Sequence, residues 1–380
     1  MRVAVLGTGL IGQMIVRELA ASSAVREVVA IDGAEDAVAR SVTGAASSKV
    51  RGKTADLGSV AALTTLLANF DAAVAALPHA LSMYANEAAA ATGTHLVDLV
   101  GSRYEEKLAF HDTAVANDAL LITGCGVAPG IVNVLAARGI ELIDEAEEAI
   151  MYCGGLPKDP LPPLWYQVVF RLESVMGLYT RDAIATEHGE IVRMPPMSGL
   201  EEIAFPEPAG LCEAAYSDAH STAHTLAHKV TRLAEKTVRY KGHFEKMNVL
   251  HELGFLDLAP VKIGDTEVVP RDLAMQVLEP RMKGGSNEDI TVVKVDAKGT
   301  SAGKPTTHSW EMVDVYDHER GYTSMAKTTG FPAVIAIEWL ASGKLTERGF
   351  LAPEQLFAGN RFDQFMSELA SHGVHITKTV

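Results

Sequence analysis

Val3–Leu6 is a wholly apolar run between Arg2 and Gly7. A run so short and so apolar predicts a central parallel strand, buried on both faces. Beyond Gly7-Thr8-Gly9-Leu10-Ile11-Gly12 the period changes: Ile11, Ile15 and Leu19 recur four apart, the stripe of an amphipathic helix. Val28–Ile31 is a second apolar run and ends at Asp32. Ser59 stands as N-cap to a helix over Val60–Ala68. Ala72–Leu77 predicts a strand ended by Pro78, and Leu81–Ala91 a helix. His95–Val97 predicts a strand ended by Asp98, Tyr104–Asn117 a helix, and Leu120–Thr123 a further strand. Alternation at this spacing predicts an α/β chain with an N-terminal Rossmann domain, a doubly wound parallel sheet.

The pattern then changes. Gly154, Gly155, Pro157, Pro160, Pro162 and Pro163 read as a loop. Extended segments follow at Ala183–Arg193 (a hairpin turning at His188-Gly189), Glu235–Tyr240, Ile290–Asp296, His308–Tyr316 and Tyr322–Thr328. With a helix at Phe244–Leu253, stopped by Gly254, they predict a second α+β domain on a largely antiparallel sheet. The expected domains are 1–125 for dinucleotide binding and 126–330 for substrate binding. A last helix is expected to begin at Phe331-Pro332, where a first-turn proline loses no hydrogen bond. Whether the 331–380 segment returns to the first domain stays open.

Composition narrows the partners. The 380 residues carry 33 basic and 48 acidic side chains, a net charge of −15. Nucleic acid is an unsuitable partner, because phosphate neutralisation needs clustered Lys and Arg. No apolar stretch approaches the ~20 residues of a membrane span, and Met1 leads into no secretory h-region. Three cysteines, Cys125, Cys153 and Cys212, show no CxxC spacing and cannot pair off completely. A cytoplasmic, reduced chain is expected.

The glycine run carries the strongest chemical signal. It follows a buried strand and opens a helix, and Asp32 lies twenty residues past Gly12. Gly7 permits the turn, Gly9 lets backbone approach a pyrophosphate, and Gly12 lets helix and strand pack closely. Leu10 and Ile11 open the helix. Asp32 can accept both ribose hydroxyls and repel a 2′-phosphate, so NAD is the expected cofactor, with Arg40 and Lys49 nearby as the groups that could still meet a phosphate. In such folds ligands lie beyond the carboxyl ends of the strands. That edge carries Asp56-Leu57, Leu77-Pro78, His79 and Asp98. Asp98 and His79 are the candidate proton acceptors, with turn-capping and plain exposure as the competing readings. His220, His224 and His228 lie four apart and would line one helical face, but no local carboxylate or cysteine completes a zinc set, and no metal is expected.

Further stretches are Val127-Ala128-Pro129-Gly130, Gly154-Gly155-Leu156-Pro157, Pro162-Pro163-Leu164-Trp165-Tyr166, Ser198-Gly199-Leu200-Glu201, Lys236–His243, Pro270-Arg271-Asp272 and Ala326-Lys327-Thr328-Thr329. Arg348-Gly349 and Pro353-Glu354-Gln355 close the series. In this order and spacing the chain resembles the saccharopine dehydrogenase-like family, and within it the L-lysine 6-dehydrogenase branch. The resemblance implies a dinucleotide domain, an α+β substrate domain and oxidative deamination of an amine carbon on an amino acid, here the ε-amine of lysine. It implies substrate contacts at Tyr166, Thr222, Arg239, Tyr240 and His243, and a homodimer or higher homo-oligomer. Read as a strand, Lys236–His243 puts Thr237, Arg239 and Lys241 on one face. Arg239 can then clamp a carboxylate through two hydrogen bonds, and His243 can bind substrate or move a proton. The chain departs from the lysine 6-dehydrogenase pattern at His79, at Asp98-Leu99-Val100-Gly101 and at Ser217-Asp218-Ala219-His220-Ser221-Thr222. Two alternatives remain: a saccharopine dehydrogenase acting on a secondary amine, and a non-catalytic NAD-binding sensor.

Overall fold

Apolar runs joined by amphipathic helices bury both faces only in a parallel sheet covered on each side. The N-terminal part of the chain does this in a computed structural model that describes residues 1–167, 172–283 and 285–380. In order come β1 (Arg2–Leu6), α1 (Leu10–Ala21), β2 (Glu27–Asp32), α2 (Glu35–Ala45), β3 (Val50–Thr54) and α3 (Val60–Leu67). Next are β4 (Ala72–Ala75), α4 (His79–Thr92), β5 (His95–Asp98), α5 (Tyr104–Leu108), α6 (His111–Ala116), β6 (Leu120–Thr123) and α7 (Ile131–Glu141). The strands pair in parallel in the order β6-β5-β4-β1-β2-β3. The winding reverses between β1 and β4, where ligands bind in such sheets. Ser59 caps α3 by accepting from the Ala62 N–H at 3.3 Å.

One helix expected over Tyr104–Asn117 is two, broken at Ala109-Phe110. The break lets Phe110 pack on the same core as Phe350, whose ring lies 5.3 Å from that of Tyr104.

The second sheet is built from β7 (Glu145–Pro157), with α8 (Leu172–Leu178) after it, then β8 (Ala183–Glu187), β9 (Glu190–Met194), β10 (Glu201–Ala204) and β11 (Leu211–Ser217). There follow α9 (Thr222–Thr225), β12 (Arg232–Tyr240), α10 (His243–Glu252), the hairpin β13 (Val261–Ile263) and β14 (Thr266–Val268), and α11 (Pro270–Met282). The long strands β15 (Asp289–Ser301) and β16 (Lys304–Val315) complete it. The order is β10-β11-β12-β7-β15-β16, with β8 paired to β12 and β9. Of these pairs only β12 and β7 run parallel. His188 (φ 51°) and Gly189 (φ 84°) turn the β8–β9 hairpin, both left-handed as a two-residue type I′ turn requires. Gly154, Gly155 and Pro157, expected in a loop, lie in β7. A Cβ on Gly154 would stand 2.5 Å from the Val238 carbonyl oxygen, so the glycine is there for the close approach of β12.

After β16 come α12 (Ser324–Ala341), β17 (Gly349–Leu351), α13 (Pro353–Leu356), α14 (Phe362–Ser371) and β18 (Thr377–Lys378). β17 adds a parallel strand beside β6, and β18 pairs with β16. Tyr322–Thr328 is therefore not a strand, and the helix does not start at Phe331-Pro332. It starts at Ser324, because Asp289 at the head of β15 accepts from the Ser324 and Met325 N–H groups at 2.5 and 2.9 Å. Pro332 is interior, which costs about 3 kcal/mol. Phe331, Val334, Ile335 and Ile337 are 0–1 % exposed, and at about 1.5–3 kcal/mol each their burial outweighs that cost. The chain forms two units, Met1–Arg138 with Ala326–His375, and Gly139–Met325 with Ile376–Val380. Among the described residues no helix is long and apolar enough to cross a membrane.

Candidate dinucleotide and substrate sites

In the first unit the loop between β1 and α1 is fixed by its glycines. Gly7 has φ +87°, and a Cβ there would stand 2.3 Å from the Ala76 carbonyl oxygen. A Cβ on Gly12 would stand 2.0 Å from the Gly7 carbonyl oxygen. Both positions exclude any side chain. Gly9, the N-cap of α1, differs: no atom lies within 4 Å of its notional Cβ. The protein does not demand glycine there, but a phosphate approaching the helix N-terminus does. Leu10 is exposed and Ile11 half-buried. At the end of β2 the Asp32 Oδ2 accepts from the Thr8 N–H at 2.7 Å and the Thr8 hydroxyl at 3.2 Å, and Oδ1 accepts from the Ala34 N–H. These bonds hold a carboxylate beside the loop, where an adenosine ribose lies in such folds. Asp56 is exposed and accepts from the Gly58 N–H, so it shapes the turn after β3. Leu57 and Leu77 are buried core residues, and Pro78 is the N-cap of α4. The open space at Gly9 and the placement of Asp32 fit a nicotinamide dinucleotide.

Asp98 does not stand as a proton acceptor. It is fully buried, and its Oδ2 accepts from the Ser82 hydroxyl at 2.6 Å, Asn86 Nδ2 at 2.8 Å and Lys107 Nζ at 2.8 Å. Its Oδ1 accepts from the Val100 N–H at 3.0 Å. The carboxylate is spent on joining β5, α4 and α5. His79 is exposed at the first position of α4, with Nδ1 2.8 Å from the Ser102 hydroxyl.

In the second unit the structure gathers Tyr166, Arg239 and His243. Arg239 is 3 % exposed and lies 4.7 Å over the Tyr166 ring. One of its terminal nitrogens donates to the Val238 carbonyl at 2.7 Å, and its Nε has no partner among the described residues. No carboxylate of the described residues pairs with it. Glu213, opposite it on β11, spends both oxygens on the Gly242 and Phe244 N–H groups that start α10. The Tyr166 hydroxyl is buried and likewise unpartnered among the described residues.

His243 is enclosed and holds this group together rather than moving protons. Nδ1 lies 2.7 Å from the Leu164 carbonyl and Nε2 2.7 Å from the Tyr179 hydroxyl. A carbonyl only accepts, so Nδ1 carries the proton and Nε2 accepts from Tyr179. Burial, then the Arg239 charge, push its pKa down to about 3.

Two expected contacts are not at this site. Tyr240 points to the opposite face of β12 and donates to the Pro157 carbonyl at 3.0 Å. Thr222 is fully buried and donates to the Ala219 carbonyl at 2.6 Å, closing a turn. The three histidines do not share a helical face either. His220 is left-handed (φ 51°) in a turn made by Asp218, before the short α9, and His228 lies beyond it in a separate 3₁₀ turn.

Tyr179 and Glu235 went unread in the sequence. Tyr179 lies in no motif. Glu235 is visible only in the alternation along β12, which puts it on the Arg239 face. It is 5 % exposed, and burial, then Asp218, push its pKa up to about 8.

Two family models cover nearly the whole chain. The saccharopine dehydrogenase NADP binding domain matches residues 3–122, and the saccharopine dehydrogenase C-terminal domain matches residues 126–374. The chain belongs to the saccharopine dehydrogenase family. It is similar to saccharopine dehydrogenase (NADP+, L-glutamate-forming) of Schizosaccharomyces pombe, 24% identical over 86% of this chain and 87% of that protein. The same enzyme of Saccharomyces cerevisiae is 24% identical over 100% and 99%. Carboxynorspermidine synthase of Vibrio cholerae is 24% identical over 72% of this chain and 66% of that protein. The fold matches apo saccharopine dehydrogenase from Saccharomyces cerevisiae with a TM-score of 0.82 at 20% identity, covering 100% of this chain and 99% of that one. As a member of this family the chain is an amino-acid oxidoreductase with a pyridine-nucleotide-binding domain.

Proposed function

We propose that this protein is an NAD-dependent dehydrogenase that oxidises an amine-bearing carbon of an amino acid whose carboxylate is held by Arg239. The carrying observation is the buried Arg239 guanidinium, with no ion pair and an unpartnered Nε among the described residues. A buried charge without a counter-charge is costly, and a carboxylate offers two acceptors in the guanidinium's own geometry. Tyr166, under the guanidinium, adds a hydroxyl donor. His243 fixes Tyr179 beside them.

In the first unit Gly7, Gly9 and Gly12 would hold the pyrophosphate and Asp32 the ribose hydroxyls. The bound dinucleotide supplies the hydride acceptor. The amine must be unprotonated when hydride leaves the adjacent carbon, since its lone pair forms the C=N bond. Water then adds to that bond and splits it into carbonyl and amine. With Asp98 enclosed, His79 is the group on the strand edge assigned the proton.

A secondary amine of the saccharopine type is the first reading of the substrate, supported by the names of the curated relatives. The primary ε-amine of lysine is the second, supported by the segments from Val127 to Gln355. Asp32 supports NAD, although those relatives are named for NADP. The test is absorbance of the reduced nucleotide with NAD or NADP and saccharopine, lysine or norleucine. Reduction with neither nucleotide on any amine would leave only a binding protein.

A further inference from the structure

Leu164, His243, Tyr179 and Arg239 form one directed chain of hydrogen bonds. The Leu164 carbonyl lies 2.7 Å from His243 Nδ1 and only accepts, so Nδ1 carries the hydrogen and Nε2 has a bare lone pair. Nε2 lies 2.7 Å from the Tyr179 hydroxyl, which therefore donates to it. A phenol has one hydrogen, so the Tyr179 oxygen is left with lone pairs alone. Arg239 carries donors alone, and it hydrogen-bonds to that oxygen: burial raises the Tyr179 pKa, while the Arg239 charge and hydrogen bond oppose the rise. A backbone carbonyl thus sets the direction of every link. Packing holds the links in place. Tyr179 is fully buried, its ring 5.5 Å from that of His243 and 6.3 Å, edge-on, from that of Phe244. The His243 ring also lies 5.4 Å from that of Tyr166, over which the guanidinium stands at 4.7 Å. With a terminal nitrogen on the Val238 carbonyl, the guanidinium is tied at two points and stacked on a ring. Among the described residues Nε and the Tyr166 hydroxyl remain without partners, and both can donate.

We propose that Tyr179 is a positioning residue for Arg239: with its hydrogen committed to His243, its oxygen holds the guanidinium so that the Nε edge stays turned to the substrate carboxylate. The proposal rests on the reading of Arg239 as the carboxylate receptor. It divides two buried tyrosines that are alike in residue type. Tyr166 has a hydrogen to give to substrate, and Tyr179 has none. An arginine already fixed in the free protein loses little rotamer freedom when the carboxylate arrives, so the Tyr179 hydroxyl strengthens binding without touching the ligand.

The experiment is a double-mutant cycle read by equilibrium binding to the full chain with reduced nucleotide present. The probe is whichever of saccharopine, lysine and norleucine the wild-type chain binds most tightly. Arg239→Met should weaken that binding by at least about thirtyfold. Tyr179→Phe keeps the ring and removes the hydroxyl, and it should weaken binding by about tenfold. In the Arg239→Met background the same substitution should change binding by less than about twofold, a coupling that loose packing alone would not produce. His243→Asn keeps an N–H for the Leu164 carbonyl but is too short to reach Tyr179. It should lose the same factor, again only with Arg239 present, and it decides the matter if Tyr179→Phe fails to unfold cooperatively. If no probe binds, or Arg239→Met binds as wild type does, the Arg239 reading falls and this proposal with it. If Arg239→Met weakens binding but Tyr179→Phe and His243→Asn cost nothing, or cost the same in both backgrounds, this proposal alone falls and Tyr179 is a packing residue.

Discussion

The carboxylate of Asp98 and the ammonium of Lys107 meet at 2.8 Å with side chains 0 % and 1 % exposed. Ser82, Asn86 and the Val100 N–H complete the carboxylate's partners. A strand-end aspartate on the cofactor edge is thus a joint between β5, α4 and α5.

Asp98→Asn should consequently act on stability before it acts on chemistry. Removing one partner of a buried pair costs about 3–5 kcal/mol, because the remaining charge is stranded. Urea or thermal unfolding should show this loss. A variant that kept wild-type stability and lost only kcat would return Asp98 to the chemistry. His79→Asn should do the reverse, leaving unfolding near wild type and lowering kcat by about a hundredfold or more, as for a positioned acid–base group.

On the proposed reading Asp32 sets the nucleotide preference by charge. The wild-type chain should use NAD with kcat/KM at least about tenfold above NADP, which corresponds to about 1.4 kcal/mol of discrimination. Asp32→Ser should narrow the gap, since nothing would then repel a 2′-phosphate. Equal use of both nucleotides by wild type would remove Asp32 from that role.

Arg239→Met separates binding from stability. Among the described residues no carboxylate pairs with the buried guanidinium, so an apolar replacement should leave Tm unchanged or raise it. KM for the amino-acid substrate should rise steeply, as for the ~2–5 kcal/mol cost of a truncated buried ionic partner, with nucleotide affinity unchanged. An unaltered KM would remove the carboxylate clamp.

Glu235 gives stability a pH dependence of known sign. Its pKa is 4.5 in the unfolded chain and about 8 when folded, because burial and then Asp218 disfavour the charge. Between those values the folded state binds the extra proton. Stability therefore falls as pH rises from about 4.5 to about 8. Glu235→Gln should flatten this slope and raise Tm at pH 8 by a few degrees relative to wild type. Parallel Tm–pH curves for the two proteins would contradict the assignment.

The alternating N-terminal pattern and the glycine loop were legible in the sequence because their causes are local. A strand buried on both faces must be apolar throughout, and Gly7 and Gly12 are excluded from bearing side chains by backbone a few residues away or on the next strand. The β8–β9 hairpin was legible for the same reason, since His188-Gly189 carries its own turn. The site in the second unit was half legible: alternation put Arg239 on a face but could not say what covers it. Tyr166 reaches Arg239 from a distant part of the chain, and His243 joins Tyr166 to the equally distant Tyr179.

What tertiary structure alone decided is where polar groups find partners distant in sequence. Asp289 starts α12 thirty-five residues away, which turned an expected strand into a helix and left Pro332 inside it. Lys107 takes Asp98 out of the chemistry, and Tyr240 and Thr222 spend their hydroxyls on carbonyls away from Arg239. Residue types and their periods specify the elements whose stabilisation is local. Whether a carboxylate or hydroxyl is a joint or a receptor depends on which atoms packing brings within about 3 Å of it, and that distance is set only when the elements close on one another.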